Sequence, residues 1–220
     1  MIIPELCKTM IDHLKMCFEN AQLDKSKCSA EILKLDGMSG RRTRHFYNNL
    51  LTLPDARYLE IGTWKGSSVC SAMFENNANV VCVDNWTEFS GPKNEFLINF
   101  NKFKGINTAK FIEQDCFSID VNTLPKFNIY LYDGDHKEES HYKALTHYID
   151  CMDDSFIYVV DDWNWKSVRD GTQKAIKDLN LKILYEIDHR TTNNDTHPIV
   201  GSAQQVLWHN GIYAAVLLKH

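Results

Sequence analysis

Arg57-Tyr58-Leu59-Glu60-Ile61-Gly62-Thr63-Trp64-Lys65-Gly66-Ser67-Ser68 reads as a short buried strand, a glycine-hinged turn and the first turn of a helix. Ser67 or Ser68 is suited to cap that helix. Gly62 leaves bare backbone for a ligand to lie against, and the helix start beyond Gly66 offers unpaired N–H groups to a polar or anionic group. The next strand, Val80-Val81-Cys82-Val83, ends in Asp84. An acid there, about twenty residues beyond the glycine turn, is placed to accept hydrogen bonds from a ribose diol. Together the two features predict a nucleoside-type cofactor.

Outward from this unit the chain alternates strand and helix. Apolar runs predict strands at 58–61, 80–83, 110–113, 128–132, 156–160 and 182–187, with helices at 67–75, 94–103, 138–151 and 167–179. Short apolar strands between helices imply a parallel sheet covered on both faces. At the end, residues 206–209 and 212–218 flank Asn210-Gly211, which predicts a hairpin and an antiparallel C-terminal strand. The expected fold is therefore α/β and Rossmann-like, a mostly parallel seven-stranded sheet with one antiparallel C-terminal strand and helices on both faces. Before the sheet, Ile3, Leu6, Met10, Leu14, Cys17 and Phe18 repeat at helical spacing, with Pro4 at a first-turn position, and residues 42–51 read as a second helix ended by Pro54. Residues 1–36 are taken as an N-terminal helical arm and 37–220 as the catalytic domain. The arm is free to pack on the domain's flank, cover the cofactor, touch the acceptor or pair with a second copy in a homodimer. Residues 189–203, rich in Thr, Asn and Asp, predict a long loop, mobile or acting as a lid.

Composition narrows the setting. A net charge of −5 argues against nucleic acid as a partner, because phosphate binding wants a basic face. Arg41, Arg42 and Arg44 form a short basic cluster, either a solvated helix face or a group reaching the substrate or a cofactor carboxylate. The 7 cysteines are odd in number and scattered, as expected of reduced thiols in a cytoplasmic protein. No apolar run has membrane-spanning length, and acids stand too early at the N-terminus for a signal peptide.

Ligands of open α/β sheets bind at the carboxyl ends of the strands. Here one apolar run ends in Asp133-Gly134-Asp135-His136 and the next in Asp161-Asp162-Trp163. Carboxylates converging on one rim repel one another unless a cation neutralises them, and oxygen donors of this kind favour Mg²⁺, Ca²⁺ or Mn²⁺. The plainer alternative is that Asp161 or Asp162 caps a helix and Asp133 closes a turn. His136, three residues past Asp133, is placed to take a hydroxyl proton near neutral pH. Asp115-Cys116 follows the third strand, where an acid can accept the adenine amino group. Trp86, Trp163 and Trp165 lie on rim loops, to stack on a sugar or to pack inside; His141 and His147 read as surface or packing residues.

The loop does not fit the dinucleotide fingerprint Gly-x-Gly-x-x-Gly, because Trp64 stands where its second glycine is needed; NAD is the competing ligand to titrate. Glu60-Ile61-Gly62 with Gly66-Ser67-Ser68, Val83-Asp84, Tyr132-Asp133-Gly134-Asp135-His136 and Val160-Asp161-Asp162-Trp163 instead resemble, in order and spacing, class I S-adenosylmethionine (SAM)-dependent O-methyltransferases. The resemblance runs from about Gly37 to Leu218 and is to the metal-dependent macrocin O-methyltransferase-like group, which modifies sugar hydroxyls. Gly37-Met38-Ser39-Gly40-Arg41-Arg42-Thr43-Arg44-His45-Phe46 is similar to the lead-in of related glycan-modifying methyltransferases. The resemblance implies SAM contacts from Glu60, Gly62, Thr63, Gly66, Ser67, Asp84, Asp115, Cys116 and Asp133. It further implies a divalent metal (Mg or Mn) on Asp133, Asp161 and Asp162, catalysis by His136 as base with Asp133, and a sugar or glycan acceptor, with a glycosyltransferase as a further partner. The catechol methyltransferase group has a similar layout but carries Lys at the His136 position and Asp-Asn in place of Asp161-Asp162. A catechol or phenol acceptor remains the alternative, as does a non-catalytic SAM-fold module beside a glycosyltransferase.

Overall fold

The computed structural model describes residues 5–89 and 91–220. Seven strands form one sheet in the order β3-β2-β1-β4-β5-β7-β6. They are β1 (Arg57–Ile61), β2 (Asn79–Asp84), β3 (Thr108–Glu113), β4 (Phe127–Tyr132), β5 (Met152–Asp161), β6 (Lys182–His189) and β7 (Ile212–Leu218). β1 to β5 pair in parallel, whereas β7 runs antiparallel to both β5 and β6 and lies between them. The expected sheet is present, with its antiparallel strand inserted one place in from the edge.

Two apolar layers enclose the sheet. On one face α1 (Glu5–Gln22), α2 (Arg41–Leu50), α3 (Ser67–Met73) and α4 (Lys93–Phe103) bury Met10, Leu14, Phe46, Val69 and Phe96 against Tyr58, Val80, Ile129 and Ile157. On the other, α5 (Glu138–Tyr148) and α6 (Lys166–Asp178) bury Leu145, Tyr148, Val168 and Ile176 against Leu59, Tyr130 and Val160. Strands β4 and β7 are therefore buried on both sides, and continuous apolar runs specify them as a two-sided core requires.

The predicted terminal hairpin is not formed. Residues Ala203–Trp208 make the short helix α7, capped by Ser202, whose side chain accepts from Gln205 N at 3.3 Å. Trp208 is buried on that helix against Phe18, Phe46 and His189, so tertiary packing of one aromatic overrides the local hairpin signal. The N-terminal stripe packs into the same core through Met10, Leu14, Cys17 and Ala21; its Ile3 and Pro4 lie outside the described residues. Arg41 and Arg42 both pair with Asp24, so neither reaches the strand-end rim. Among the described residues no helix is long and apolar enough to cross a membrane.

Candidate active site at the strand ends

Register brings the predicted residues to one level. Ile61 pairs with Val83 on one side and Tyr132 on the other, and Tyr132 pairs with Val160. Gly62, Asp84, Asp133 and Asp161 therefore leave the sheet together. Because β7 is antiparallel, Ile212 opposes both Asp161 and His189, which brings Asn210 and the start of the 190–202 loop to the same rim.

The glycine loop is fastened by Asp84. Asp84 Oδ2 accepts from Thr63 N at 2.9 Å and Trp64 N at 2.8 Å, and Oδ1 accepts from Trp86 N at 2.7 Å. The Trp86 indole donates to Trp64 O at 2.8 Å. Trp64 holds a positive φ of 44°, the conformation that a glycine takes cheaply. Strand packing also requires a glycine at position 62: at φ 87° a Cβ would stand 1.9 Å from the Asp133 carbonyl oxygen. Gly66 caps α3 in the left-handed conformation, and neither Ser67 nor Ser68 caps it.

Glu60 is fully buried behind the loop, where Tyr58 and Ser68 hydroxyls donate to its two oxygens, each at 2.6 Å. Burial raises its carboxyl to about 7, with those hydroxyls opposing the rise. Glu60 therefore fixes the loop from inside. In front of the loop, residues 36–40 form a strap. Gly37 lies so close to α3 that a Cβ would meet Ser67 Oγ at 2.0 Å, and Ser39 Oγ stands 3.2 Å from Ser67 Oγ. Arg44, buried on α2, holds the strap by donating to the Leu33, Leu35 and Ser39 carbonyls at 3.2, 2.7 and 3.3 Å. That resolves the open role of this arginine: its guanidinium is spent on backbone.

Between strap and loop, Met38, Ser39, Gly62, Thr63, Trp64, Ser67, Ser68 and Asp133 enclose a cavity of about 30 Å³. Thr63, one of the lining residues, has its Oγ1 buried without a hydrogen-bond partner. An orphaned hydroxyl beside a glycine loop and a carboxylate suits the amino-acid end of SAM.

At the acidic rim, Asp133, His136 and Asp162 each offer a ligand atom, all within 4.8 Å of one another. His136 Nε2 lies 2.8 Å from Asp162 Oδ2. Asp162 has a φ of 57°, a strained setting for a non-glycine residue at a strand end. Burial would raise its carboxyl, but the His136 bond and charge and the Asn210 amide outweigh burial and hold it low. Asp133 is pushed well up by burial and then by Asp161 and Asp162. The third predicted ligand, Asp161, points elsewhere: its Oδ2 accepts from Tyr47 OH at 3.2 Å and its Oδ1 from Asp162 N at 2.9 Å. His136, which the sequence offered as a base, thus joins the group in place of Asp161. Two carboxylates and an imidazole suit a divalent cation, whose charge would relieve the repulsion that raises Asp133.

Asp115 and Cys116 stand at the end of β3. Asp115 is exposed and accepts from Phe117 N at 2.9 Å, while burial pushes the Cys116 thiol up to about 12. Trp163 is fully buried, stacked on Tyr213 at 4.3 Å, and Trp86 packs on Phe96. Trp165 alone of the three tryptophans proposed for stacking remains half-buried, edge-on to His197 at 4.8 Å. His141 is a packing residue, as read, with its ring against Tyr132.

Sequence reading missed Asn164, Asn210 and His197. Asn164, fully buried, receives Thr191 N at 2.9 Å and donates to Thr191 Oγ1 at 2.9 Å, tying down the 190–202 loop. Asn210 donates through Nδ2 to Asp162 Oδ1 and meets His197 Nδ1 at 2.8 Å. The Asn210-Gly211 pair was visible, but only as a turn signal.

Residues 59–163 match a family described as a methyltransferase domain, a span from β1 to just past β5 that includes every rim acid named above. No curated protein matches the chain in sequence. The fold is similar to that of a methyltransferase from Podospora anserina solved with SAH (11% identity, 99% of this chain and 89% of that one, TM-score 0.59). It is also similar to an O-methyltransferase from Bacillus cereus in complex with SAH (11%, 92% and 90%, TM-score 0.58) and to the O-methyltransferase TomG of tomaymycin synthesis from Streptomyces achromogenes in complex with SAM (12%, 94% and 90%, TM-score 0.57). At these identities the likeness establishes a shared fold.

Proposed function

We propose that this chain transfers the methyl group of SAM to a sugar hydroxyl, with a divalent cation at the acidic rim. The coarser statement, a SAM-dependent O-methyltransferase, rests on the methyltransferase-domain match and the fold shared with O-methyltransferases. The finer reading rests on one observation, the convergence of Asp133, His136 and Asp162 within 4.8 Å beside the cofactor loop.

Asp133 and Asp162 are assigned to the cation, and carboxylate oxygens of this kind suit Mg²⁺ or Mn²⁺. A cation bound there would supply positive charge that lowers the pKa of an acceptor hydroxyl. His136 is assigned to the proton. With Nε2–H donated to Asp162, the neutral ring keeps its lone pair on Nδ1, and that atom receives the hydroxyl proton. Glu60 and Asp84 hold the glycine loop so that the methyl donor and the acceptor meet in a fixed orientation. Half-buried Trp165 offers an aromatic surface of the kind on which a sugar ring stacks.

The test is methyl transfer from SAM to methyl rhamnoside, methyl xyloside and simple catechols, with and without EDTA. Turnover of glycosides that EDTA abolishes and Mn²⁺ restores is expected. Activity untouched by EDTA removes the cation, and turnover of catechols alone removes the sugar. His136→Ala is expected to cut turnover by about 10²-fold while Mn²⁺ affinity stays unchanged. A large loss of Mn²⁺ affinity in that variant would make His136 a ligand and not the base.

A further inference from the structure

A buried side chain hydrogen-bonds the 190–202 loop to the acidic rim. Asn210, 1% exposed, joins His197 on that loop to Asp162. The direction of both bonds is fixed by chemistry. Asp162 Oδ1 accepts from Asn210 Nδ2, so the amide N–H₂ of Asn210 is the group that faces Asp162. The Asn210 carbonyl oxygen is then turned to His197, and since it only accepts, His197 Nδ1 must carry the proton. A neutral His197 consequently holds its lone pair on Nε2, an atom without a hydrogen-bond partner among the described residues.

The placement of that ring is equally specific. His197 is exposed, stands edge-on to the Trp165 ring at 4.8 Å and lies 6.3 Å from the His209 ring. His209 is close enough to feel the Asp162 charge, so the rings of Trp165, His197 and His209 sit together beside Asp162. The loop itself is anchored at Thr191 by Asn164 and at Asp195 by Arg169, so its geometry does not depend on His197 alone.

We propose that His197 is an acceptor-binding residue, presenting Nε2 to a hydroxyl of the bound acceptor, and that Asn210 is the positioning residue that sets both its tautomer and the Asp162 carboxylate. The hydroxyl donates to Nε2 and Trp165 supplies the apolar wall beside it. The 190–202 loop thereby becomes one side of the acceptor site and not a detached lid. A hydroxyl-bearing acceptor is favoured over an analogue lacking that hydroxyl, because the analogue leaves Nε2 unpaired. The identity of the acceptor as a sugar rests on the proposed function; the tautomer and the loop's role do not.

Two measurements test this. Nitrogen-15 NMR of the imidazoles in the metal-free protein reads the tautomer without any turnover. A neutral His197 protonated on Nδ1, shifting towards Nε2 protonation in Asn210→Ala, is expected; wild-type His197 protonated on Nε2 overturns the proposal. The second is steady-state kinetics with methyl rhamnoside and methyl xyloside. His197→Phe keeps a ring against Trp165 at an exposed position and so retains the fold. It should raise the acceptor KM at least about tenfold with SAM affinity unchanged. An unchanged acceptor KM overturns the proposal while leaving sugar methylation standing. If no glycoside is methylated, sugar methylation falls and the NMR result alone decides the role of Asn210.

Discussion

Replacing Glu60 by Gln is expected to flatten the stability of this protein against pH. Glu60 is fully buried and its carboxyl is raised from 4.5 to about 7, burial being the largest cause. The native state therefore holds a proton that the unfolded chain gives up earlier. Where the native state binds more protons, stability falls as pH rises, so the loss begins near 4.5 and is complete once pH passes about 7. Moving one carboxyl from 4.5 to about 7 corresponds to about 3 kcal/mol, and no discount for solvent applies to a group this enclosed. Gln keeps an acceptor for one hydroxyl and a donor for the other, so the Tyr58 and Ser68 contacts survive with their hydroxyls rotated. Urea unfolding of both proteins at several pH values between 4.5 and 8 measures the effect. Asp133 and Asp161 shift in the same direction but remain in both proteins, so the difference between the two curves isolates Glu60. The variant should gain about 3 kcal/mol relative to wild type across that interval. Parallel curves would refute the reasoning and mean that Glu60 is ionised throughout.

Two further substitutions address the loop. Asp84→Ala strips the acceptor from the Thr63, Trp64 and Trp86 amides and should cost about 3 kcal/mol in thermal or urea unfolding and weaken SAM about tenfold by calorimetry. An unchanged melting temperature would show that the loop does not depend on Asp84. Gly62→Ala sets a methyl against the Asp133 carbonyl at a positive φ and should cost more than about 3 kcal/mol, read by the same unfolding experiment; wild-type stability would mean that β1 and β4 part freely at the rim.

The sheet was legible because parallel strands buried on two faces need apolar runs, such as residues 129–132 in β4 and 156–160 in β5. The rim acids followed from those strands, since a residue that ends a buried run must emerge at its carboxyl end. What failed was everything set by distant partners. Val206, Leu207 and Trp208 resemble a strand locally, and only the aromatic packing under Trp208 makes them helical. Asp161 and Asp162 are equivalent in sequence; the positive φ of Asp162 and the Tyr47 hydroxyl, 114 residues from Asp161, decide which one faces His136. Likewise nothing near Asn210 announces its hydrogen-bond partner, because Asp162 lies 48 residues away. Gly62 was legible as a place for bare backbone, but the second demand on it, room for the Asp133 carbonyl of the neighbouring strand, was not.

The place of β7 has a consequence for how the chain is made. Among the described residues β6 is bonded to β7 and to no other strand, and β5 has β7 as its outer neighbour. During synthesis from the N-terminus, both strands emerge before residues 212–218 exist. Until then β5 offers an open edge and β6 has nothing to join. Two unpaired edges on a half-built sheet are templates for mispairing with another chain. This half of the protein is thus the stretch of the nascent polypeptide most in need of shelter, and the late arrival of a single strand, apolar along nearly its whole length, closes both edges in one event.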